Sequence, residues 1–333
     1  MTARRPQPED LAPLGLDGPP GEALRVLVSA GLDRLPLPGQ ETRARWRMLA
    51  AVAAIDLSLA KLYEGHTDAL AILAELGGPA PARGSRWGTW CAEPPDARVL
   101  LRPAGSDGGR LEGTKAWCSG AADLTHAMVS CWDDDGAPRL AAVALAQPGV
   151  HVTRSGWAAV GMAASASVEV RFEGATATPV GRAGAYVARP GFWQGGAGIA
   201  ACWWGGAAGL VQWCREMTHE TADAHRLAHR GAMEVALHTG AAALREAATW
   251  IDRQPRDDAQ ALALRVRTAV ETSAEAVMRH AGRAFGATPL CRNARFARRM
   301  ADLPVFLRQG HAERDLETLG RLSQHTESPA WTL

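Results

Sequence analysis

The chain has 333 residues, of which 47% are apolar and 21% charged, the proportions of an ordinary globular protein. Its formal net charge of +1 gives no electrostatic reason to expect a nucleic-acid or membrane partner. The six cysteines lack C-x-x-C spacing, which argues against a zinc site and a disulfide framework and is typical of the reducing cytosol. The first residues contain no apolar run of the signal-peptide kind, so we expect a cytoplasmic protein.

The first region, residues 1–82, has a helical pattern. Over residues 43–76 apolar side chains recur three to four positions apart, with no proline. This spacing predicts one or two amphipathic helices, which end at the Gly77-Gly78-Pro79 sequence.

The second region, residues 83–182, has the pattern of a β-domain. Short apolar runs alternate with clusters of Gly, Asp and Pro, and the Asp-Asp-Asp-Gly sequence at 133–136 predicts a hairpin loop. Several short strands separated by turns predict a small barrel or sandwich.

The third region, residues 183–333, is helical again. Residues 192–211 carry no charge over twenty positions, which is long enough to span a membrane, but they are rich in glycine and alanine and lack a basic flank. We therefore expect a buried core helix there. Long helices at 230–251, 258–283 and 300–322 complete a predicted up-and-down bundle of four. The predicted fold class is α+β.

The middle region also carries short motifs in a characteristic order. Residues 90–94 (WCAEP) precede 113–121 (GTKAWCSGA) and 161–165 (GMAAS), and residues 205–210 (GGAAGL) follow in the helical region. These segments resemble the T-E-P, G-x-K-x-W-I-T, G-M-R-x-S and Gly/Ala-rich stretches of acyl-CoA dehydrogenases. Their order over residues 56–320 carries the resemblance. It implies N-terminal helices, a central β-barrel and a C-terminal four-helix bundle, with FAD as cofactor.

Trp117 and Ser119 are the candidate flavin contacts. Two residues apart on a strand, they are expected to point to the same face and to offer an aromatic wall and a hydroxyl donor to a flat, amphiphilic ring. The other interpretation is a core tryptophan followed by a turn serine. The resemblance adds Cys91 and Ala92, which would line the ring through backbone groups.

Arg283 and Gly286 are candidate residues for the cofactor's phosphates. They lie in residues 283–287 (RAFGA), which resemble part of the family's Q-x-x-G-G-x-G loop. The fork of an arginine suits phosphate, although a solvated arginine at a helix end fits the sequence equally. The family's R-x-x-F-G stretch, which holds the flavin diphosphate of a neighbouring subunit, has no counterpart here.

The family's catalytic base is a glutamate, and the two positions where it would fall are not acidic. One holds Gln309 or Gly310 and the other Ile199 or Ala200. His311 and Glu313 are the nearest substitutes. The alternative is a solvated helix face with an i to i+4 contact between His311 and Asp315.

Three functions remain open at this point. The first is FAD-dependent α,β-dehydrogenation of an acyl thioester or related small acyl substrate. The second is a flavin-dependent monooxygenase of the same fold that uses His66 and His311, because such relatives lack the glutamate and histidine titrates near neutral pH. The third is a flavoprotein scaffold without catalysis. The Ala/Leu-rich helices over 230–283 and the resemblance both predict a homo-oligomer.

Overall fold

The computed structural model describes residues 5–104, 108–219 and 222–324. The chain divides into two compact units. The first unit comprises Met1–Leu37 and Ser58–Phe192, and the second comprises Pro38–Leu57 and Trp193–Leu333.

The helices follow one another in chain order as α1 (Pro20–Ser29), α2 (Thr42–Ile55), α3 (Leu57–Leu76), α4 (Ala185–Ala188), α5 (Gly191–Glu216), α6 (Ala224–Arg253), α7 (Gln260–Phe285), α8 (Ala287–Arg292), α9 (Ala294–Leu307) and α10 (Glu313–Ser323). The strands are β1 (Trp87–Trp90), β2 (Val99–Ala104), β3 (Gly108–Cys118), β4 (His126–Trp132), β5 (Pro138–Ala144), β6 (Val150–Val152) and β7 (Val168–Pro179).

The predicted helical stretch at 43–76 is confirmed as two helices. Asp56 separates α2 from α3 because its backbone is extended, at φ −151° and ψ 134°. Helix α1 is not expected from the sequence, because it begins in a proline-rich segment. Pro20 occupies the first helical position, where its missing N–H has no intrahelical partner to lose.

The strands of the first unit form a sheet whose pairings close on themselves. β2 pairs with β3, β3 with β7, β7 with β5 and β5 with β4, all antiparallel. A parallel contact between Leu100 and Trp132 joins β2 to β4 and completes the ring, while β1 pairs with β4 and β6 with β7 at its outside. The predicted hairpin at 133–136 is confirmed as the connection between β4 and β5.

Helix α3 packs on this sheet through an apolar cluster. The cluster joins residues of α3 to the strands and to the chain beyond β7, namely Ala69, Ile72, Leu73, Trp87, Met128, Leu140, Ala142 and Val180. Burial of these side chains fixes β1 against α3, and so fixes the chain that leaves β1.

The second unit is a helical assembly in which α6 and α7 lie along each other, and α2, α9 and α10 pack against this pair. Close approach depends on glycine. A Cβ at Gly205 of α5 would lie 2.2 Å from the Ala50 carbonyl oxygen of α2. Within the described residues no helix is both long enough and apolar enough to cross a bilayer.

The prediction of one continuous helix over 300–322 is wrong. Helix α9 ends at Leu307 and α10 begins at Glu313. Between them Ala312 has φ 45° and ψ −114°, which an α-helix cannot contain. The residue type gives no hint of this turn.

Candidate functional site

A bulge in β3 sets the conformation of Trp117. The register between β3 and β7 shifts between Lys115 and Cys118, and Trp117 has φ 55°. Its side chain is 49% exposed, whereas Ser119 is 9% exposed. The prediction that the two share one strand face through simple alternation is therefore wrong, because a bulge interrupts the period of two. Of the alternative interpretation, the core tryptophan is ruled out because Trp117 is half exposed, whereas Ser119 does lie in the turn that follows β3.

The Ser119 hydroxyl belongs to a directed chain of hydrogen bonds. Ser165 Oγ donates to the Met162 carbonyl at 2.7 Å. Ser165 must then accept from Ser167 at 2.8 Å, and Ser167 must accept from Ser119 at 2.7 Å. Ser119 thus spends its only proton inside the protein. Ser119, which we expected to donate a hydrogen bond to the flavin, can therefore only accept one through a lone pair of its Oγ.

The segment that follows β1 is tied to this bulge. Trp90 Nε1 donates to the Ser119 carbonyl at 3.2 Å. Beyond Trp90 the chain leaves the sheet, and among the described residues the backbone N–H groups of Ala92 and Glu93 find no acceptor. We call residues 91–93 together with Trp117 and Ser119 the bulge site.

Cys91 lines this site as a neutral thiol. It is half-buried, packs on the apolar cluster beneath α3 and interacts with the Tyr186 hydroxyl. Burial raises the pKa of Cys91 to about 11, and the nearby Lys115 ammonium offsets only part of that rise. At neutral pH Cys91 is therefore a lining group and not a nucleophile.

The bulge site contains the types of chemical group that bind a flavin. An isoalloxazine ring takes an aromatic wall on one face, and along its polar edge both N–H donors and acceptors of hydrogen bonds. Trp117 offers the exposed aromatic face, Ala92 and Glu93 offer unpaired backbone donors, and Ser119 offers a lone pair. That Cys91, Ala92, Trp117 and Ser119 hold the ring stays a prediction.

His66 lies fully buried in the first unit. Its Nδ1 accepts from the Trp87 backbone N–H at 3.1 Å, and its Nε2 faces Asp33 Oδ2 at 3.2 Å. Because Nδ1 is occupied as an acceptor, the ring proton sits on Nε2 and points to Asp33. The ring thereby links α3 to β1. A chemical role for His66 stays a prediction.

His311 and Glu313 lie in the second unit at the turn before α10. The His311 side chain is 62% exposed, and its Nδ1 lies 3.5 Å from Asp315 Oδ1. The His311 backbone N–H also donates to Asp315 Oδ2 at 3.1 Å. Glu313 is exposed in the first turn of α10. The i to i+4 contact is thus present, and catalysis by either residue stays a prediction.

Arg283 lies exposed in the last turn of α7, and Gly286 ends that helix at φ 64° and ψ −154°. This conformation is essentially restricted to glycine. Sequence reasoning missed the histidine pair beside it, in which His229 Nδ1 and His280 Nδ1 are 3.0 Å apart. Burial first, then Arg279, His229 and Arg283, lower the pKa of His280.

The positive charges of Arg279 and Arg283 at this end of the α6–α7 pair favour the binding of an anion. A phosphate role for Arg283 and Gly286 stays a prediction. The sequence does contain a signal for the histidine pair, because Arg and His recur three to four residues apart on both α6 and α7.

No protein-family profile matches the sequence, and neither does any curated protein. Solved structures do match. Dibenzothiophene monooxygenase TdsC from Paenibacillus sp. A11-2 has a TM-score of 0.77 at 20% identity, over 94% of this chain and 92% of that chain. A further structure of TdsC contains FMN.

Two other solved structures are similar over nearly the whole chain. Methanesulfinate monooxygenase MsuC from Pseudomonas fluorescens has a TM-score of 0.73 at 19% identity, over 98% of this chain and 96% of that chain. Nitrososynthase from Micromonospora carbonacea var. africana has a TM-score of 0.76 at 19% identity, over 96% and 93%. The chain therefore shares the acyl-CoA dehydrogenase fold with these structures, and the resemblance is confirmed at the level of the fold alone.

Proposed function

We propose that this chain is a flavin-dependent monooxygenase with the acyl-CoA dehydrogenase fold. The observation that carries the proposal is that neither sequence position where the family keeps its base holds a carboxylate. Those positions hold Gln309 or Gly310 on one segment, and the buried Ile199 and Ala200 on the other. Removal of an α-proton needs a positioned base with a suitable pKa, and neither an amide nor an apolar side chain supplies one. Glu271 Oε2 would lie 3.5 Å from a Cβ at Gly310, but that carboxylate is paired with Arg308.

Two further points support this assignment over acyl dehydrogenation. TdsC and MsuC are both named as monooxygenases, and they match this chain over more than nine-tenths of its length. An oxygenase takes its electrons from a reduced flavin and therefore does not need to extract a hydride from an acyl substrate.

The cofactor is proposed to be FMN in place of the FAD first expected. The sequence lacks a counterpart of the R-x-x-F-G stretch that holds the flavin diphosphate in acyl-CoA dehydrogenases. TdsC has been solved with FMN bound. A single phosphate also requires fewer cationic partners than a diphosphate does.

A reduced flavin, when bound, supplies the two electrons that place one atom of O₂ in a substrate and the other in water. The bulge site would hold it. Trp117 would cover one face of the ring, Ala92 and Glu93 would donate to its polar edge, and Ser119 would accept a hydrogen bond. We propose separately, for the second unit, that His311, with Asp315 beside its Nδ1, holds an exchangeable proton.

Acyl dehydrogenation remains the second candidate because His311 is paired with a carboxylate, and a histidine so placed can act as a base. Anaerobic mixing of the flavin-loaded protein with a panel of acyl-CoA thioesters tests it. We expect the flavin to stay oxidised. Bleaching by any thioester would identify a dehydrogenase and overturn the proposal.

The oxygenase activity is tested with ¹⁸O₂, FMN and a separate NADH-dependent flavin reductase. Small thioethers, sulfinates and amines form the substrate panel. We expect a product with one ¹⁸O atom from at least one member of the panel, and its rate of formation should increase with the concentration of the protein. Flavin binding with neither bleaching nor labelled product would favour the scaffold.

A further inference from the structure

Lys115 is a charged residue buried inside the first unit. It lies on β3, two residues before Trp117, and its side chain is 1% exposed. Its Nζ donates to the Ser130 carbonyl oxygen at 2.9 Å and to Ser130 Oγ at 2.7 Å. Ser130 belongs to β4, which does not pair with β3. The ammonium therefore connects two strands that the sheet itself leaves unlinked.

The chemistry of the groups fixes the direction of this connection. An ammonium only donates, so Ser130 Oγ accepts from Lys115. The Ser130 proton is then free to go to Glu93 Oε1, at 2.8 Å. Glu93 Oε1 is also 3.7 Å from Lys115 Nζ. The result is a short chain that runs from Lys115 through Ser130 to the Glu93 carboxylate.

Glu93 anchors the segment that leaves β1, which is also held by the packing of Cys91 on the apolar cluster. Residues 91–94 have no regular secondary structure, and Pro94 and Pro95 have no N–H with which to make a ladder. The Glu93 side chain is 35% exposed and reaches from this segment toward a lysine in the interior. The same segment carries the two unpaired donors, Ala92 N–H and Glu93 N–H.

We propose that Lys115 is a positioning residue for the flavin, which acts through Ser130 and Glu93 to hold the backbone donors of Ala92 and Glu93 in place before the cofactor binds. This inference rests on the proposed function. Donors that are already ordered in the free protein bind the flavin more tightly, because no further conformational entropy is lost when the cofactor binds.

The burial of Lys115 argues for such a role. Desolvation lowers its pKa, and the neighbouring Glu93 carboxylate favours the charge. Buried ion pairs give little net stability compared with apolar side chains of similar size. A methionine would fill the same space at a smaller desolvation cost, so stability alone is a poor reason to keep a lysine here.

The test measures FMN affinity and thermal stability together in wild type, Lys115→Met and Glu93→Gln. Quenching of flavin fluorescence gives the Kd, and the visible absorption band of bound FMN reports on the polarity at its edge. We expect the Kd to rise about tenfold in Lys115→Met, as when one ordered contact is lost on binding, with an altered band shape. Glu93→Gln keeps the size of the anchor and covers the case in which Lys115→Met fails to fold; we expect its Kd to rise as well.

Val143→Ala is the matched control. Val143 lies buried on β5 of the same sheet and takes no part in the chain from Lys115 to Glu93. It should lower the melting temperature and leave the Kd unchanged. Unchanged affinity and band shape in both Lys115→Met and Glu93→Gln, with only stability lost, would overturn the positioning role. If the wild type binds no flavin, the proposed function itself fails, and this inference fails with it.

Discussion

Trp117 and Ser119 are separated by one residue, yet Trp117 is 49% exposed and Ser119 is 9% exposed with its Oγ 2.7 Å from Ser167 Oγ. The bulge in β3 leaves the aromatic ring half exposed, while the hydroxyl proton of Ser119 is directed to Ser167 inside the protein. A left-handed backbone conformation at a tryptophan costs free energy, and such strained residues are often found at functional sites. The bulge is therefore the feature on which the assignment of the cofactor site depends.

The first prediction concerns Trp117→Ala. FMN affinity should fall about tenfold or more, since the ring loses an aromatic face worth about 1 kcal/mol beyond its contact area. The melting temperature should change little because the side chain is half exposed. Fluorescence titration and thermal unfolding measure the two effects. Trp250→Ala, at a partly buried tryptophan of α6, should keep the affinity. Full FMN affinity in Trp117→Ala would remove Trp117 from the site.

A second prediction tests the close approach of helices in the second unit. Gly205→Ala should destabilise the protein by about 1–3 kcal/mol, because its Cβ would collide with backbone and not with a movable side chain. A Cβ added at Gly196 of the same helix would meet nothing within 4 Å. Gly196→Ala should therefore be neutral or stabilise by about 0.5–1 kcal/mol. Urea unfolding compares the two, and equal effects would contradict the described packing.

The third prediction concerns alkaline pH. Burial lowers the pKa of Lys115 from its ordinary 10.5, so the unfolded chain binds more protons than the native one between the lowered pKa and 10.5. The contribution of Lys115 to the unfolding free energy therefore rises with pH between its lowered pKa and 10.5. Below the lowered pKa, Lys115 is charged in both states and the native state bears the full cost of burying that charge. Lys115→Met should lack the rise.

Buried thiols act in the opposite direction. Burial raises the pKa of Cys91 to about 11 and of Cys131 and Cys214 to about 12, so each favours unfolding once pH exceeds the ordinary 9.0. The prediction therefore concerns a difference. The unfolding free energy of wild type minus that of Lys115→Met, from urea unfolding under reducing conditions, should increase as pH rises toward 10.5. A difference independent of pH would contradict it.

A fourth prediction concerns the turn before α10. His311→Ala should lower turnover on an established substrate about 100-fold, the usual contribution of a positioned acid or base. Stability should hold because the side chain is 62% exposed. Glu313→Gln, at the other exposed candidate, serves as the comparison. If both variants keep full turnover, the turn is not catalytic.

Regular elements could be predicted from the sequence where side-chain spacing alone decides them. The helices α2, α3, α6 and α7 and the hairpin between β4 and β5 follow from apolar periodicity and turn residues. The break at Ala312 and the bulge at Trp117 do not, because both need positive φ at residues that seldom adopt it.

The polar networks could not be predicted for a different reason. Glu93, Lys115 and Ser130 meet only because β3 and β4 take their observed places in the sheet, and the separations of 37 and 15 residues carry no local signal. The proton order from Ser119 to the Met162 carbonyl likewise depends on tertiary contacts.

Hydrogen–deuterium exchange with and without FMN tests the central claim, that the bulge site binds the flavin, most directly. The backbone N–H groups of Ala92 and Glu93 have no acceptor among the described residues, so they should exchange fast in the free protein. We predict that saturating FMN slows their exchange and that of Trp117, while the hairpin at 133–136 is unaffected. FMN binding that leaves residues 91–93 and 117–119 without added protection would contradict the account.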